Sequence, residues 1–280
     1  MENRPLISII IPSRDTASSR GVLQLLEDIS EQHTQMDVEV CQIQAVSPAG
    51  KARNIGAGKA KGDVLVFLDD DISLGNKYVL SSLIEALLSD KKIGAASASI
   101  RIPEDATQFE RRYAKEIPHC EAPIVDKLLD VWVATSACCA IRKDVFLEVG
   151  KFNEYIPRGQ DPEFSYRIRK NGYRTVLVPQ TWCYHPQPDN LIELIKTQFR
   201  NGLGVCFVDT FYPDLNIDVH PDGILFCTAK KTKLARIRRF FFSFWCAVSQ
   251  GKFLLLSAKL IYMVSYLHGI CKYRILKLTS

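Results

Sequence analysis

Between Leu6 and Ile102 the sequence alternates short apolar runs with segments of helical period, and that alternation leaves few folds open. Leu6-Ile-Ser-Ile-Ile-Ile11 has the character of a buried strand and ends at Pro12, which cannot donate to a sheet ladder. A polar loop, Ser13 to Ser19, precedes a helix with Val22, Leu25, Leu26 and Ile29 on one face. Val38 to Val46 reads as a second strand, and Ser47-Pro48-Ala49-Gly50 introduces a short helix, Lys51 to Lys59, rich in Ala and Gly. A third strand lies within Gly62-Asp-Val-Leu-Val-Phe-Leu-Asp-Asp-Asp71, followed by a helix whose core stripe is Leu80, Leu83, Ile84, Leu87 and Leu88. Ile93 to Ile102 is the fourth strand. The pattern predicts an α/β fold, a doubly wound and mostly parallel sheet with helices on both faces.

The third strand carries the chemistry. It drives an apolar run straight into three adjacent carboxylates, Asp69, Asp70 and Asp71. These repel one another unless water solvates them or a cation sits among them. A solvated loop that caps the next helix satisfies the first condition, and a metal site satisfies the second. In doubly wound sheets ligands bind beyond the carboxyl ends of the strands, so the position favours the cation. Farther along, Thr107 to Ile117 reads as an exposed helix. Val131 to Ile141 reads as a small-residue apolar strand able to lie close to a ligand. Arg158 to Glu163 opens another helix, and the strand Arg174 to Pro179 ends near His185. No internal repeat and no glycine fingerprint of a dinucleotide site is present.

In order along the chain stand ISIIIPSRD (Ile7–Asp15), KARNIGAGKAKGDVLVFLDDDI (Lys51–Ile72), TSACCAIRKDVFLEVGKFNE (Thr135–Glu154) and GQDPEFSYRIRKNGYRTVLVP (Gly159–Pro179). This series resembles the family 2 glycosyltransferases of GT-A fold, over residues Ile7 to His185. The resemblance implies transfer of one sugar from a nucleotide-diphosphate donor to an acceptor hydroxyl, with inversion. It also implies that Asp69 and Asp71 hold a cation, Mn²⁺ or Mg²⁺, with His185 as a further ligand. Asp69 and Asp70, Arg53 and Asn54, and Ser13, Arg14 and Asp15 then line the donor. A general base on the opposite face maps onto Asp161, with Glu163 as the fallback. Asp161 before Pro162 is also an ordinary N-cap pattern, and Arg53 also fits a solvated helix face. Two departures stand out. The family's Glu beside the base is Gln160, and the second strand reads Cys41-Gln-Ile-Gln-Ala-Val46, without the carboxylates that help bind the base. The Gln-x-x-Arg-Trp motif of processive synthases is absent, which favours addition of a single sugar.

Charge divides the chain. All 31 acidic residues lie at or before Asp222, so residues 1–222 carry a net −6 and residues 223–280 a net +11. We read residues 1–222 as the GT-A domain and 223–280 as a basic, apolar, helical tail. Lys230 to Arg239 runs into Phe240-Phe-Phe-Ser-Phe-Trp245, and Phe253 to Cys271 is nearly all apolar. Aromatics contiguous with aliphatics argue against nucleic acid, whose readers interleave them. Residues 230–278 therefore point to an anionic membrane surface, as an interfacial helix in preference to a spanning one or to a buried or oligomeric helix pair. The acceptor is then a glycan or a lipid-linked molecule. Nine cysteines without a Cys-x-x-Cys pair fit buried thiols in a reducing compartment. With no secretory signal, the expected location is the cytoplasmic face of a membrane. Two other readings remain: an inactive membrane-bound adaptor on the same fold, and a sugar nucleotidyltransferase. The latter is disfavoured by the lack of a Gly-rich triphosphate loop.

Overall fold

The computed structural model describes residues 6–13, 20–117, 120–213, 218–219, 227–228 and 233–279. They form two compact units. The first comprises Met1–Arg101, Glu121–Tyr155 and Gln160–His185; the second comprises Ile102–Cys120, Ile156–Gly159 and Pro186–Ser280.

In the first unit the order is β1 (Leu6–Ser13), α1 (Arg20–Ser30), β2 (Asp37–Gln44), α2 (Ala49–Lys59), β3 (Val64–Leu68), β4 (Ser73–Leu74), α3 (Val79–Ser89) and β5 (Ile93–Arg101). The second unit begins with α4 (Gln108–Glu116). The chain then returns to the first unit with β6 (Leu129–Asp130), β7 (Cys138–Arg142), α5 (Lys143–Glu148), α6 (Gln160–Lys170) and β8 (Arg174–Tyr184). The sheet has eight strands in the order β2-β1-β3-β7-β5-β8-β4, with β6 against β8. β1, β2, β3, β5 and β8 run parallel, while β7 is inserted antiparallel between β3 and β5. The sheet is thus mostly parallel, as the alternation predicts.

β3 is buried along its whole length, as a continuous apolar run requires. On one face of the sheet Ile7, Ile9, Val66 and Leu68 meet Leu25 of α1 and Leu80, Leu83, Ile84 and Leu87 of α3. Leu88, placed by the sequence in that stripe, is instead 49% exposed. The other face packs a phenylalanine cluster in which Phe67 lies 5.5 Å from Phe146 and 5.3 Å from Phe152, and Phe152 lies 4.4 Å from Phe164. Truncating any one of these rings to alanine removes about 3–5 kcal/mol.

Other expectations need correction as well. The first strand does not end at Pro12 but runs through it to Ser13, paired with Ile43 and Gln44 of β2. The strand expected over Val131 to Ile141 is ordered as β7 only from Cys138. Residues 131–137 lie outside the β7 ladder because their backbone and hydroxyl groups bond elsewhere, Val131 N–H to Thr175 O of β8 at 2.9 Å and Thr135 and Ser136 to Asp161 of α6. Ala134 N–H donates to Ser165 Oγ at 3.1 Å, and Ala137 N–H to Thr135 Oγ1 at 3.4 Å. The helix expected to be exposed over Thr107 to Ile117 buries one face, Glu110, Tyr113 and Glu116, behind a Thr107 capping box.

The second unit continues with α7 (Leu191–Phe211), β9 (Asp218–Val219), β10 (Cys227–Thr228), α8 (Lys233–Ser249) and α9 (Phe253–Thr279). Tyr113, Leu194 and Leu254 form its small core, and Gln198 donates to the Tyr113 hydroxyl at 2.8 Å.

Candidate active site

The site lies at the carboxyl ends of β3 and β8. β3 stops at Leu68, but Asp69 N–H still donates to Ala137 O at 3.0 Å, which fixes where the acidic turn begins. Ile72, 1% exposed, pins its far end in the core. α1 starts against this turn: a Cβ on Gly21 would come within 3.0 Å of the Asp70 carbonyl.

β8 brings His185 to the same place. Its backbone N–H donates to Arg101 O at 2.8 Å. Its Nε2 lies 3.7 Å from Asp71 Oδ1 and 3.9 Å from Asp69 Oδ2. These separations are too long for hydrogen bonds and suit groups that could share one ion. Ligand atoms of Asp69, Asp71 and His185 all fall within 4.8 Å of one another. Burial first, and then the charges of Asp69 and Asp70, push the Asp71 carboxyl above its ordinary range, with His185 opposing. That is the expected state of carboxylates crowded together without a counter-ion.

Arg53, on α2, is not on a solvated face. It is 5% exposed, because the Gly- and Ala-rich helix packs close on the sheet and turns the residue inward. Its Nη2 meets Asp69 Oδ1 at 2.6 Å and its Nη1 donates to Gln160 Oε1 at 3.3 Å. The guanidinium therefore ties the acidic turn to the first turn of α6. Gln160 accepts there as an amide where the resemblance implies a carboxylate. Asn54 is committed elsewhere in the fold: it donates to Phe152 O and Glu154 Oε1, both at 2.9 Å, and accepts from Phe152 N–H at 3.0 Å.

Asp161 does not cap α6. The helix begins at Gln160, so Asp161 lies inside its first turn. Its carboxylate accepts from Ser136 Oγ at 2.5 Å, from Thr135 Oγ1 at 3.5 Å and from the Ser136 backbone N–H. Burial raises its pKa and Asp69 adds to the rise, while Arg53 and the Ser136 bonds oppose it. Glu163, two residues on, is spent in a two-pronged pair with Arg167 at 2.5 and 2.8 Å and is 5% exposed. It is a structural brace, since Arg167 also donates to Lys151 O at 2.5 Å. Ser13 ends β1, 2% exposed, with its carbonyl accepting from Ala45 N–H at 2.9 Å. Arg14 and Asp15 lie outside the described residues.

The structure thus joins Asp69, Asp71, His185, Arg53 and Asp161. Residue-by-residue reading missed Thr135, Ser136 and Gly21. The signal for the first two was a Ser/Thr pair immediately before an apolar strand.

Residues 4–204 match the family described as Glycosyltransferase like family 2. The chain belongs to that family. Glycosyltransferase AglE of Haloferax volcanii is 25% identical over 191 residues, covering 68% of this chain and 60% of that protein. O-antigen biosynthesis protein RfbC of Myxococcus xanthus is 28% identical over 149 residues, covering 47% of this chain and 12% of that protein. The chain thus spans less than two thirds of either relative. Among solved structures, the mannosyltransferase PcManGT of Pyrobaculum calidifontis, in complex with GDP-Man and Mn²⁺, has a TM-score of 0.56 at 15% identity, covering 99% of this chain and 80% of that one. GalNAc-T7 with UDP, GalNAc and Mn²⁺ has a TM-score of 0.50 at 16% identity, covering 76% of this chain and 50% of that one. The glycosyltransferase fold is therefore GT-A.

Proposed function

We propose that this protein transfers one sugar, with inversion, from a nucleotide-diphosphate donor to a hydroxyl of a glycan or lipid-linked acceptor in cell-surface glycan synthesis. One observation carries the reading. Asp69, Asp71 and His185 converge within 4.8 Å, and a buried arginine links that cluster to the helix turn bearing Asp161. Two stations result, one for the departing diphosphate and one for the attacking hydroxyl.

Hard carboxylate oxygens with one imidazole fit a divalent cation, Mn²⁺ in preference to Mg²⁺, held by Asp69, Asp71 and His185. When bound, such a cation offsets the negative charge that gathers on the leaving diphosphate. Arg53 holds Asp69 in place so that the carboxylate need not reorganise. Thr135 and Ser136 orient Asp161, which takes the proton of the acceptor hydroxyl. A carboxyl whose pKa is already raised by burial is the better base for that step. Inversion asks for no nucleophile from the protein, and Glu163 is not needed. Gln160 preserves the contact to Arg53, which favours an active enzyme over an inactive adaptor.

Both structural neighbours were solved with a nucleotide or nucleotide sugar and Mn²⁺, and one relative is named for O-antigen biosynthesis. The net +11 of residues 223–280 supports an anionic membrane surface as the setting of the reaction, on its cytoplasmic face. The experiment is a screen of nucleotide sugars for Mn²⁺-dependent thermal stabilisation, followed by transfer assays on wild type and Asp161→Asn. Stabilisation by no nucleotide sugar, or equal transfer by the variant, would overturn the assignment.

A further inference from the structure

α9 contains a stretch, Phe253–Tyr273, that is long and apolar enough by length and composition to cross a membrane. Its contacts within the second unit argue that it does not. At its start, Glu116 of α4 accepts the backbone N–H groups of Leu254 at 2.8 Å and Leu255 at 3.2 Å, and Arg112 pairs with the same carboxylate at 2.7 Å. In its middle the Tyr266 hydroxyl donates to Asp209 of α7 at 2.8 Å. Ser265 packs so close to α7 that a Cβ on Gly202 would come within 1.8 Å of its hydroxyl. Toward its end Tyr273, 6% exposed, has its ring 5.3 Å from that of Phe207 and 6.0 Å from that of Phe211. One whole side of α9 is therefore fixed to α4 and α7. α7 carries Glu193, Lys196, Arg200 and Asp209 along the same length. Sinking α9 across a bilayer would carry those charges to bilayer depth or strip the helix of its partners, and both are strongly disfavoured.

The opposite side of α9 is bare. Leu260, Met263, Val264 and Leu267 are exposed at i, i+3, i+4 and i+7. α8 repeats the arrangement: Leu234, Ile237, Phe241, Trp245 and Val248 form one exposed stripe, with Trp245 70% exposed and Phe242 beside it at 68%. A helix in water reserves such a stripe for a core. The two helices touch where Lys259 lies 5.5 Å from the Phe240 ring. Eleven Lys and Arg and no acidic residue occur from Gly223 to Ser280. Aromatic and aliphatic side chains among basic residues match the headgroup boundary of an anionic bilayer.

We propose that α8 and the outer face of α9 are a monotopic seat in an anionic lipid surface, and that α9 lies along the membrane instead of crossing it. This rests on the membrane reading above and deepens it. A protein groove as the occupant is the competing outcome, and the uniform positive charge favours lipid.

The test uses the full chain with sealed phosphatidylcholine vesicles, with and without phosphatidylglycerol, followed by sedimentation and alkaline carbonate extraction. Sedimentation at least tenfold stronger with phosphatidylglycerol, and release into the carbonate supernatant, are expected. Phe241→Glu with Trp245→Glu should lose at least tenfold of that binding with an unchanged thermal midpoint, because both side chains project into solvent. Retention after carbonate would overturn the monotopic seat while leaving membrane association standing. Failure of the wild type to sediment with either vesicle would remove the membrane reading itself, and the seat with it.

Discussion

At the rim of the sheet, Asp69, Asp70 and Asp71 crowd like charges into one turn, beside a half-buried Asp161 whose pKa is raised. On α8, Phe241, Phe242 and Trp245 stand in water, each more than 60% exposed. The first region concentrates charge where folding would spread it, and the second exposes apolar surface where folding would hide it. Each sits beside well-satisfied structure: the phenylalanine cluster under the sheet and the contacts between α7 and α9. What the contrast teaches is that residues unfavourable for the isolated fold mark the places where something else is expected to bind. On our proposals the rim takes a cation and a diphosphate, and α8 takes lipid.

The sharpest way to break the comparison is at the rim. Asp71→Ala should abolish cation-dependent donor binding and transfer while fold stability stays within about 0.5 kcal/mol or rises, because a carboxylate whose ionised form is disfavoured in the fold is removed from a repulsive cluster. Isothermal calorimetry and thermal melts read the two effects separately. A loss of stability without a loss of donor binding would make the rim structural.

Next in size is Asp161→Asn, expected to lower transfer by about a hundredfold or more with donor binding intact. The sign of its stability effect follows from linkage. Because the folded carboxyl has a raised pKa, the folded state holds the proton more tightly than the unfolded state does. This group's contribution therefore declines as pH rises from the ordinary Asp range through the raised value. The asparagine variant should accordingly melt higher than wild type at neutral pH, with the gap closing in acid. The wild-type rate should fall as pH drops through the same raised value.

A smaller effect tests the contacts of α4 with α9 in the second unit. Glu116→Gln weakens the bonds to Leu254, Leu255 and Arg112, and should cost about 1–3 kcal/mol in a denaturant titration without changing donor affinity. The smallest is Trp245→Ser, expected to change stability by less than about 0.5 kcal/mol. A large destabilisation there would mean that the aromatic stripe has a partner within the fold.

Much of the fold was legible because the signals were local. β3 is a five-residue apolar run, and α1 and α3 carry one-sided stripes. Asp69, Asp71 and His185 were legible as a set only through the order of motifs, since more than a hundred residues separate the pair from the histidine. What was not legible depended on tertiary contacts. Nothing local says that Thr135 and Ser136 leave the strand to bind Asp161, or that a Gly- and Ala-rich helix turns Arg53 inward onto Asp69. The pairing of Glu163 with Arg167 was open to a local reading, since the two stand at i and i+4 on one helix; that Asp161 turns toward Ser136 was not.

The central claim is that Asp69, Asp71 and His185 form a cation-dependent donor site coupled to Asp161. It is tested most directly by titrating the common nucleoside diphosphates into wild type, Asp71→Ala and Asp161→Asn by calorimetry, with Mn²⁺ and with chelator. The expected result is that at least one diphosphate binds wild type and Asp161→Asn with equal affinity in Mn²⁺. Neither protein should bind it in chelator, and Asp71→Ala should bind it in neither condition. Binding that is indifferent to Mn²⁺, or undiminished in Asp71→Ala, would contradict the account.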